Sequence, residues 1–244
     1  MSETKKEMTR LSVNINKYAL VRNSRGGHQP NIIQIAKDCE KFGAQGITIH
    51  PRQDERHIRY SDVRPLKEIV TTEFNIEGFP DQRFMEMVLE VQPHQCTLVP
   101  DASNQLTSDH GWDTNIEKLF LTDVVGQLQE KGIRVSLFVD PKEDFILGAK
   151  DVGADRVELY TGPYAEEFHI CKEEAIVSHI HAAKVAHELG LGINAGHDLN
   201  LDNLNYYKSN IANLDEVSIG HAIICDAIYL GLETTIKRYL EELK

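Results

Sequence analysis

Short apolar segments alternate with helix-like segments along almost the whole chain, and this alternation restricts the possible folds more than any other feature. Each apolar segment is rich in β-branched residues and is bounded by Gly, Pro or polar residues, as buried strands are. Eight strands are predicted in this way, at residues 10–16, 46–51, 73–78, 95–100, 134–140, 156–160, 192–197 and 216–221.

The segments between these strands show the period of an amphipathic helix. After Asn31, apolar side chains recur every three or four residues as far as Phe42, and Gly43 ends the pattern. Asn is a good N-cap, and Gly is favoured just after the last helical turn. Further helices are predicted at residues 61–70, 84–91, 113–131, 142–152, 173–189, 200–211 and 222–243.

Strands that alternate with helices run parallel and are joined by right-handed crossovers. Eight such units in 244 residues match the size of an α/β TIM barrel, a (β/α)8 fold with eight parallel strands. An open doubly wound sheet is the alternative, although no G-x-G-x-x-G motif follows the first strand. No linker divides the chain, so we predict a single domain over residues 1–244, with residues 1–9 as a flexible N-terminal extension.

Composition excludes several kinds of partner. The chain has 38 acidic residues against 26 Lys and Arg, a net charge of -12, which repels nucleic acid and anionic lipid. No apolar run reaches the roughly 18 residues of a membrane helix, and the first ten residues do not resemble a signal peptide. The four cysteines are far apart, which favours a reducing cytoplasm.

Several polar side chains fall where the predicted strands end. In parallel barrels the loops after the strands build the active site, and His50, His197 and His221 lie at or just past predicted strand ends. Seven histidines are expected at the surface or hydrogen-bonded in the core: His28, His94, His110, His169, His179, His181 and His187. Glu77 near the end of the third strand is either a structural ion pair or a general base, and we favour the base because His and Glu suit proton transfer near neutral pH.

Basic residues and small residues near the same ends indicate anion binding. Arg52 lies two residues past a strand end, where its guanidinium suits a phosphate, and His57 and Thr107 follow in nearby loops. A second anion site is predicted near Arg25 and the pair Gly220–His221. The segment RQDER is alternatively a solvated, charged loop. Two anion sites indicate two phosphorylated substrates or one bisphosphate.

The motifs at the strand ends resemble a known family. VNI, LVRNSRGG, GAQGITIHPRQDERHI, FNIEG, LVPD, VSLFVD, NAGHDLN and VSIGHAII together are similar to the pyridoxine 5′-phosphate synthase family, from about residue 10 to the last helix. The resemblance implies a transferase that condenses 3-amino-2-oxopropyl phosphate with 1-deoxy-D-xylulose 5-phosphate. The products are pyridoxine 5′-phosphate, inorganic phosphate and water. The resemblance also implies no cofactor, no metal and a homo-octamer built from dimers.

The same resemblance implies roles for individual residues. His50 and Glu77 match proton acceptors, and His197 matches a proton donor. The residues that match the aminoketone phosphate site are Asn14, Arg25, Asp198, Gly220 and His221. The residues that match the pentulose phosphate site are Asn16, Lys17, Arg52, His57 and Thr107.

The chain departs from the family pattern at two places. The common Asn-Ile-Asp-His segment is Asn14-Ile15-Asn16-Lys17 here, and we expect the longer, cationic Lys17 to reach the same phosphate. Asp198 stands where Gly is common. A carboxylate would repel phosphate, so we expect Asp198 to turn away and cap the next helix. Only its backbone N–H would then serve the ligand.

Three other functions remain open from the sequence. His50, Glu77, His197 and His221 at one barrel mouth could ligate a divalent metal ion. Lys17 could form a Schiff base, as in an aldolase. The chain could also bind phosphosugars without catalysis. The long polar segment at residues 101–112 is a candidate lid.

Overall fold

Eight strands form a closed, all-parallel barrel in the computed structural model, which describes residues 8–101 and 108–244. Each strand pairs with the next along the chain, and the last pairs with the first. The strands are β1 (Arg10–Asn14), β2 (Gly46–Ile49), β3 (Glu73–Gly78), β4 (Gln95–Leu98), β5 (Arg134–Val139), β6 (Arg156–Tyr160), β7 (Gly192–Gly196) and β8 (Leu214–Ile219). The TIM barrel prediction is confirmed, and the doubly wound alternative is wrong.

The described residues also form eleven helices that surround the barrel. They are α1 (Asn16–Ser24), α2 (Ile32–Lys41), α3 (Tyr60–Ile69), α4 (Gln82–Val91), α5 (Lys118–Gln129), α6 (Glu143–Asp151), α7 (Gly162–Ala175), α8 (Val177–Glu188), α9 (Leu204–Asn210), α10 (His221–Leu230) and α11 (Leu232–Glu242). The predicted start and end of α2 are confirmed. The Asn31 side chain accepts a hydrogen bond from Gln34 N at 3.2 Å, and Gly43 has φ +111°.

Three helix predictions were wrong. Helix α1 occupies the segment predicted as the loop after the first strand, and α7 precedes the helix predicted at 173–189. The last predicted helix is split by Gly231, which has φ +75°. Neither α1 nor α7 begins with a side chain that caps its first turn. Pro163 in the first turn of α7 is a start signal that the prediction did not use.

The two faces of the barrel wall differ in chemistry. Apolar residues of the strands, such as Leu11 and Val13, pack with the helices in one core. The residues between them are polar and hydrogen-bond across strands: Ser12 Oγ lies 2.7 Å from Thr48 Oγ1, and Asn75 lies 3.3 Å from Thr48. Because side chains alternate along a strand, these polar groups fill the barrel axis.

Charged side chains close the N-terminal end of the barrel. Arg10 donates to Glu73 at 2.8 Å, Arg134 also pairs with Glu73, and Arg10 lies 3.8 Å from Glu216. Burial, followed by the charge of Glu73, raises the pKa of Glu216 to about 8. These ion pairs lie at the end opposite the strand C-termini and therefore stabilise the fold.

The last residue of the predicted N-terminal extension contacts the barrel. Thr9 is buried, and its hydroxyl donates to Leu214 O at 2.8 Å. Residues 1–7 lie outside the described part of the chain. No helix within the described residues is both long enough and apolar enough to cross a membrane.

Candidate active site

The C-terminal ends of the strands surround a cavity of about 200 Å³. Most of the predicted site residues lie in its wall. They are Asn14, Asn16, Lys17, His50, Arg52, His57, Glu77, His197, Gly220 and His221. The two predicted anion sites therefore open into one cavity. Thr107 and half of the candidate lid, residues 102–107, lie outside the described residues.

Arg25 does not line this cavity. It is exposed at the C-terminal end of α1, beyond Ser24. A helix rises 1.5 Å per residue, so Arg25 lies about 12 Å along α1 from Lys17, which is in the cavity wall. The prediction placed Arg25 in a short loop because α1 was not recognised.

His50 follows β2 and is a neutral, buried imidazole. Burial lowers its pKa well below the usual range, and the neighbouring His57 and Arg52 side chains lower it further. Its backbone N–H donates to Asn16 Oδ1 at 2.8 Å, and Asn16 N donates to Asn14 Oδ1 at 3.1 Å. The start of α1 therefore orients the end of β2, and a neutral His50 suits a proton acceptor.

Glu77 on β3 is buried at the cavity floor. It accepts a hydrogen bond from Asn14 Nδ2 at 3.2 Å and from Ser218 Oγ at 3.4 Å. Burial raises the pKa of Glu77 to about 7, and the charge of Asp101 adds to this rise against the opposing effect of His197. A carboxyl with a pKa near neutral pH both accepts and releases protons under ordinary conditions.

His197 is held by its neighbour in the chain. Its Nδ1 lies 2.7 Å from Asp198 Oδ2. Burial alone lowers the pKa of His197, but the hydrogen bond and charge of Asp198, with the charge of Glu77, outweigh burial and raise it above the usual value. Of the two histidines among the three predicted proton-transfer groups, His197 is therefore the one whose protonated form is stabilised by its neighbours.

The prediction for Asp198 was wrong in both of its parts. Its side chain contacts His197 and does not cap a helix, and its backbone N–H donates to Thr161 Oγ1 at 3.1 Å. The N-cap of the next helix, α9, is Asn203. Asp198 lines a shallow depression beside the cavity, which His197 and His221 also line.

Cationic side chains gather at one end of the cavity. Lys17, Arg52 and Arg56 all lie in its wall beside His57. Burial lowers the pKa of His57 to about 3, helped by the charges of Lys17 and Arg52. His57 Nδ1 accepts from Ile58 N at 2.9 Å, so the proton of the neutral ring is on Nε2. This end thus offers three permanent cations and one neutral donor to an anion.

An ion pair beneath this end holds Arg52 in place. Arg52 donates to Asp101 Oδ2 at 2.6 Å, and both side chains are buried. Ser108 Oγ donates to the same oxygen at 2.8 Å. The carboxylate of Asp101 therefore fixes the guanidinium by a charge-assisted hydrogen bond.

The loop that carries these cations is clamped by the end of α1. Buried Arg22 makes a two-pronged contact with Asp62, at 2.7 and 2.8 Å, and donates to His57 O at 3.1 Å. Asn23 Nδ2 donates to His57 O at 2.7 Å and to Arg56 O at 3.1 Å. These bonds explain why an apolar strand leads into a cluster of charges: the loop is an ordered part of the cavity wall, and not the solvated loop considered from the sequence.

The opposite end of the cavity is the start of α10. Gly220 is the N-cap of this helix and His221 its first residue. A Cβ at Gly220 would lie 2.9 Å from Asn14 O, so only glycine allows β8 and β1 to approach this closely. Helix N-termini present backbone N–H groups that bind anions.

Glu158 on β6 also lines the cavity, and the sequence did not single it out as a site residue. Its pKa is raised well above the usual range, first by burial and then by the charges of Glu77 and Glu216. A Cβ at Gly196 would lie 2.5 Å from Glu158 Oε1, so Gly196 leaves room for this carboxyl. An acid at an inward-facing strand position was the available signal.

No group of three or more His, Cys, Asp and Glu side chains within residues 8–101 and 108–244 is arranged to hold a metal ion. The four residues considered as a metal site share the cavity wall without forming such a cluster. Lys17, considered as a Schiff-base lysine, does line the cavity.

Comparison with known proteins gives a consistent result along the whole chain. A family profile described as "Pyridoxal phosphate biosynthesis protein PdxJ" matches residues 11–244. Pyridoxine 5′-phosphate synthase of Cytophaga hutchinsonii is 62% identical over 237 residues, 97% of this chain and 100% of that protein. The protein of the same name from Christiangramia forsetii is 58% identical over the same shares of both chains.

Solved structures share the fold at low sequence identity. Phosphoribosylanthranilate isomerase of Thermotoga maritima has a TM-score of 0.61 at 12% identity, and the match covers 97% of this chain and 98% of that one. Thiamine phosphate pyrophosphorylase of Pyrococcus furiosus has a TM-score of 0.60 at 13% identity, with 96% of each chain covered. These two likenesses support the TIM barrel alone.

Proposed function

Because the chain belongs to the PdxJ family of pyridoxal phosphate biosynthesis proteins, we propose that it is a pyridoxine 5′-phosphate synthase. It condenses 3-amino-2-oxopropyl phosphate with 1-deoxy-D-xylulose 5-phosphate and closes the pyridine ring. The reaction releases inorganic phosphate and water.

One observation carries this proposal: three proton-transfer groups with different charge states share a cavity with a cationic end. At neutral pH, His50 is neutral and Glu77 is close to its pKa of about 7, while the raised pKa of His197 makes it hold its proton more readily than a free imidazole. We assign His50 and Glu77 as proton acceptors and His197 as a proton donor. This assignment needs no further group for proton transfer.

The two phosphates occupy opposite ends of the cavity. The pentulose phosphate binds to Lys17, Arg52 and His57, with Asn16 beside them and Thr107 from the loop outside the described residues. We add Arg56 to this group because it lines the same end. The aminoketone phosphate binds at the start of α10, where Gly220 and His221 lie close to Asn14.

The residues present match the chemistry of ring closure. The amine adds to a ketone, water leaves, phosphate is expelled and a second carbonyl is attacked. Every step moves a proton, and positioned acids and bases contribute roughly 10²–10⁴-fold each. A cavity that holds both substrates together adds a further gain from proximity.

The location and assembly of the protein are also part of the proposal. The four cysteines, all within the described residues, form no disulfide, which supports a reducing cytoplasm. Exposed apolar side chains on neighbouring helices, such as Val21, Ile228 and Tyr229, support self-association into the homo-octamer of dimers. Light scattering on the purified protein measures the assembly directly.

Product formation tests the proposed function. The purified protein is mixed with both phosphates, and pyridoxine 5′-phosphate is measured by mass spectrometry, with each substrate omitted in turn as a control. We expect product only when both substrates are present. A protein that binds both compounds without forming product is a phosphosugar sensor, and the proposal is then wrong.

A Schiff-base aldolase is the second candidate, because Lys17 lines the cavity. Borohydride reduction in the presence of the pentulose phosphate, followed by peptide mapping, distinguishes the two. An adduct on Lys17 supports the aldolase, and its absence together with product formation supports the synthase. Chelator treatment distinguishes a metal enzyme, since removal of a catalytic metal abolishes turnover.

A further inference from the structure

Asp198 forms a pair with His197 that the backbone is built to allow. Neighbouring residues in a strand point in opposite directions, but His197 has φ +97°, a region that costs a non-glycine residue energy. This turn brings Asp198 Oδ2 to 2.7 Å from His197 Nδ1. Strain that persists next to a cavity is a reason to look for a role.

The turn is fixed by buried Thr161, which follows the neighbouring strand β6. Thr161 Oγ1 donates to Gly196 O at 2.6 Å and accepts from Asp198 N at 3.1 Å. Asp198 O accepts a further hydrogen bond from Asn203 Nδ2 at 3.3 Å. The carboxylate therefore starts from an anchored backbone, and the pair does not depend on a flexible loop.

We propose that Asp198 is a positioning residue, which holds the His197 imidazole in one orientation and one tautomer at the wall of the cavity. The carboxylate accepts the Nδ1 proton, so the same ring nitrogen carries a proton in both charge states of the ring. This inference rests on the proposed function, in which His197 is the proton donor.

Several charged and titratable groups lie near His197, and Asp198 raises its pKa more than any other of them. Lys17 of α1 opposes a positive imidazole, and Glu77 of β3 favours it. His50 after β2 is also close, since the charge of His197 lowers the pKa of His50. The ring of Tyr160 on β6 lies edge-on to the His197 ring, with 6.0 Å between the ring centroids. Burial also opposes the charge, and the hydrogen bond and charge of the Asp198 carboxylate are the largest effects that raise the pKa of His197.

The test compares Asp198→Asn with Asp202→Asn. The first change removes the charge of the pair and keeps its shape, and the second removes an exposed carboxylate four residues away. The His197 imidazole is titrated by NMR in the unmodified protein and in both variants. We expect a lower pKa for His197 in Asp198→Asn and no change in Asp202→Asn. Equal titration in all three proteins would overturn the inference.

Steady-state kinetics give a second readout that a purely structural role would not produce. In Asp198→Asn we expect kcat to fall at least about 10-fold, which is part of the roughly 10²–10⁴-fold that a positioned acid contributes. The basic limb of its pH profile should move to lower pH. KM for the aminoketone phosphate should not rise, because a nearby negative charge is removed.

A loss of kcat that is accompanied by a loss of thermal stability, without a shift of the basic limb, would overturn the inference. The Asp198→Ala variant, which removes the hydrogen bond as well, should have a lower kcat than Asp198→Asn. The NMR titration decides the role of Asp198 even if the unmodified protein forms no product, an outcome that would refute the proposed function alone.

Discussion

Arg22 is the residue whose removal we expect to damage the cavity most without touching a ligand. It lies beneath the loop after β2, where it makes a two-pronged contact with Asp62 and donates to His57 O. The Arg22→Met variant keeps the aliphatic stem and removes all three bonds. Its effect should appear in both stability and substrate binding.

The expected loss of stability follows from burial. The exposed fraction is 8% for the Arg22 side chain and 17% for that of Asp62. Breaking a buried ion pair by removing one partner costs about 3–5 kcal/mol. Asp62 keeps some solvent and still accepts from Arg59 N at 2.8 Å, so the loss should lie near the lower end, at about 3 kcal/mol.

Arg64 provides a matched control on the surface. It makes a similar two-pronged contact with Glu90, but the exposed fractions are 54% and 56%. Solvent-exposed ion pairs contribute little to stability, so Arg64→Met should unfold at nearly the same urea concentration as the unmodified protein. Urea unfolding measures the stability of both variants, and the midpoints are compared provided that the free energy of unfolding falls with urea at the same slope in each. Equal midpoints for Arg22→Met and Arg64→Met would refute the reasoning.

Steady-state kinetics distinguish the loss of the Arg22 contacts that hold the loop from a general loss of stability. The loop carries Arg52, Arg56 and His57, so Arg22→Met should raise KM for the pentulose phosphate more than KM for the aminoketone phosphate. Replacing Asp62 by Leu in the same variant should recover part of the stability, because no unpaired buried charge remains. Recovery of stability without recovery of KM would show that the loop geometry depends on the guanidinium.

Two further predictions follow from the cavity and from the loop before α5. The pKa of Glu77 at about 7 predicts that kcat/KM rises with pH through about 7, because a proton acceptor must be ionised, and Glu77→Gln should remove this limb; a pH–rate profile with an unchanged limb would contradict the assignment. Gly111→Ala should cost about 1–3 kcal/mol by urea unfolding, because its Cβ would lie 2.3 Å from Val139 Cα, a backbone atom that has no room to yield. Gly126→Ala, where the new Cβ meets nothing within 4 Å, is the control and should not destabilise the protein.

The positions of the strands, and the end of the barrel that carries the cavity, could be predicted because they depend on local sequence patterns. Strands of four to six residues between helices define a barrel, and parallel strands place their ends together. His50, Glu77 and His197 could therefore be assigned to one cavity without knowing any distance. Gly43 and Asn31 mark the ends of α2 through local backbone conformation alone.

The remaining features depend on geometry that the local sequence does not carry. Arg25 was predicted in a loop because α1 has no capping signal, and it follows nine helical residues outside the cavity wall. The pairing of Asp198 with His197 requires the positive φ of His197, which is imposed by contacts with Thr161. Glu158 belongs to the cavity because β6 and β7 are neighbours in space, with Gly196 leaving room for its carboxyl.

The most direct test of the whole account is the His50→Asn variant, measured for binding and for product in the same preparation. Calorimetry should show both phosphorylated substrates bound nearly as tightly as by the unmodified protein, because the cationic end and the start of α10 are unchanged. Mass spectrometry should show almost no pyridoxine 5′-phosphate. Ring closure at the rate of the unmodified protein would contradict the claim that a neutral imidazole at this strand end accepts the proton.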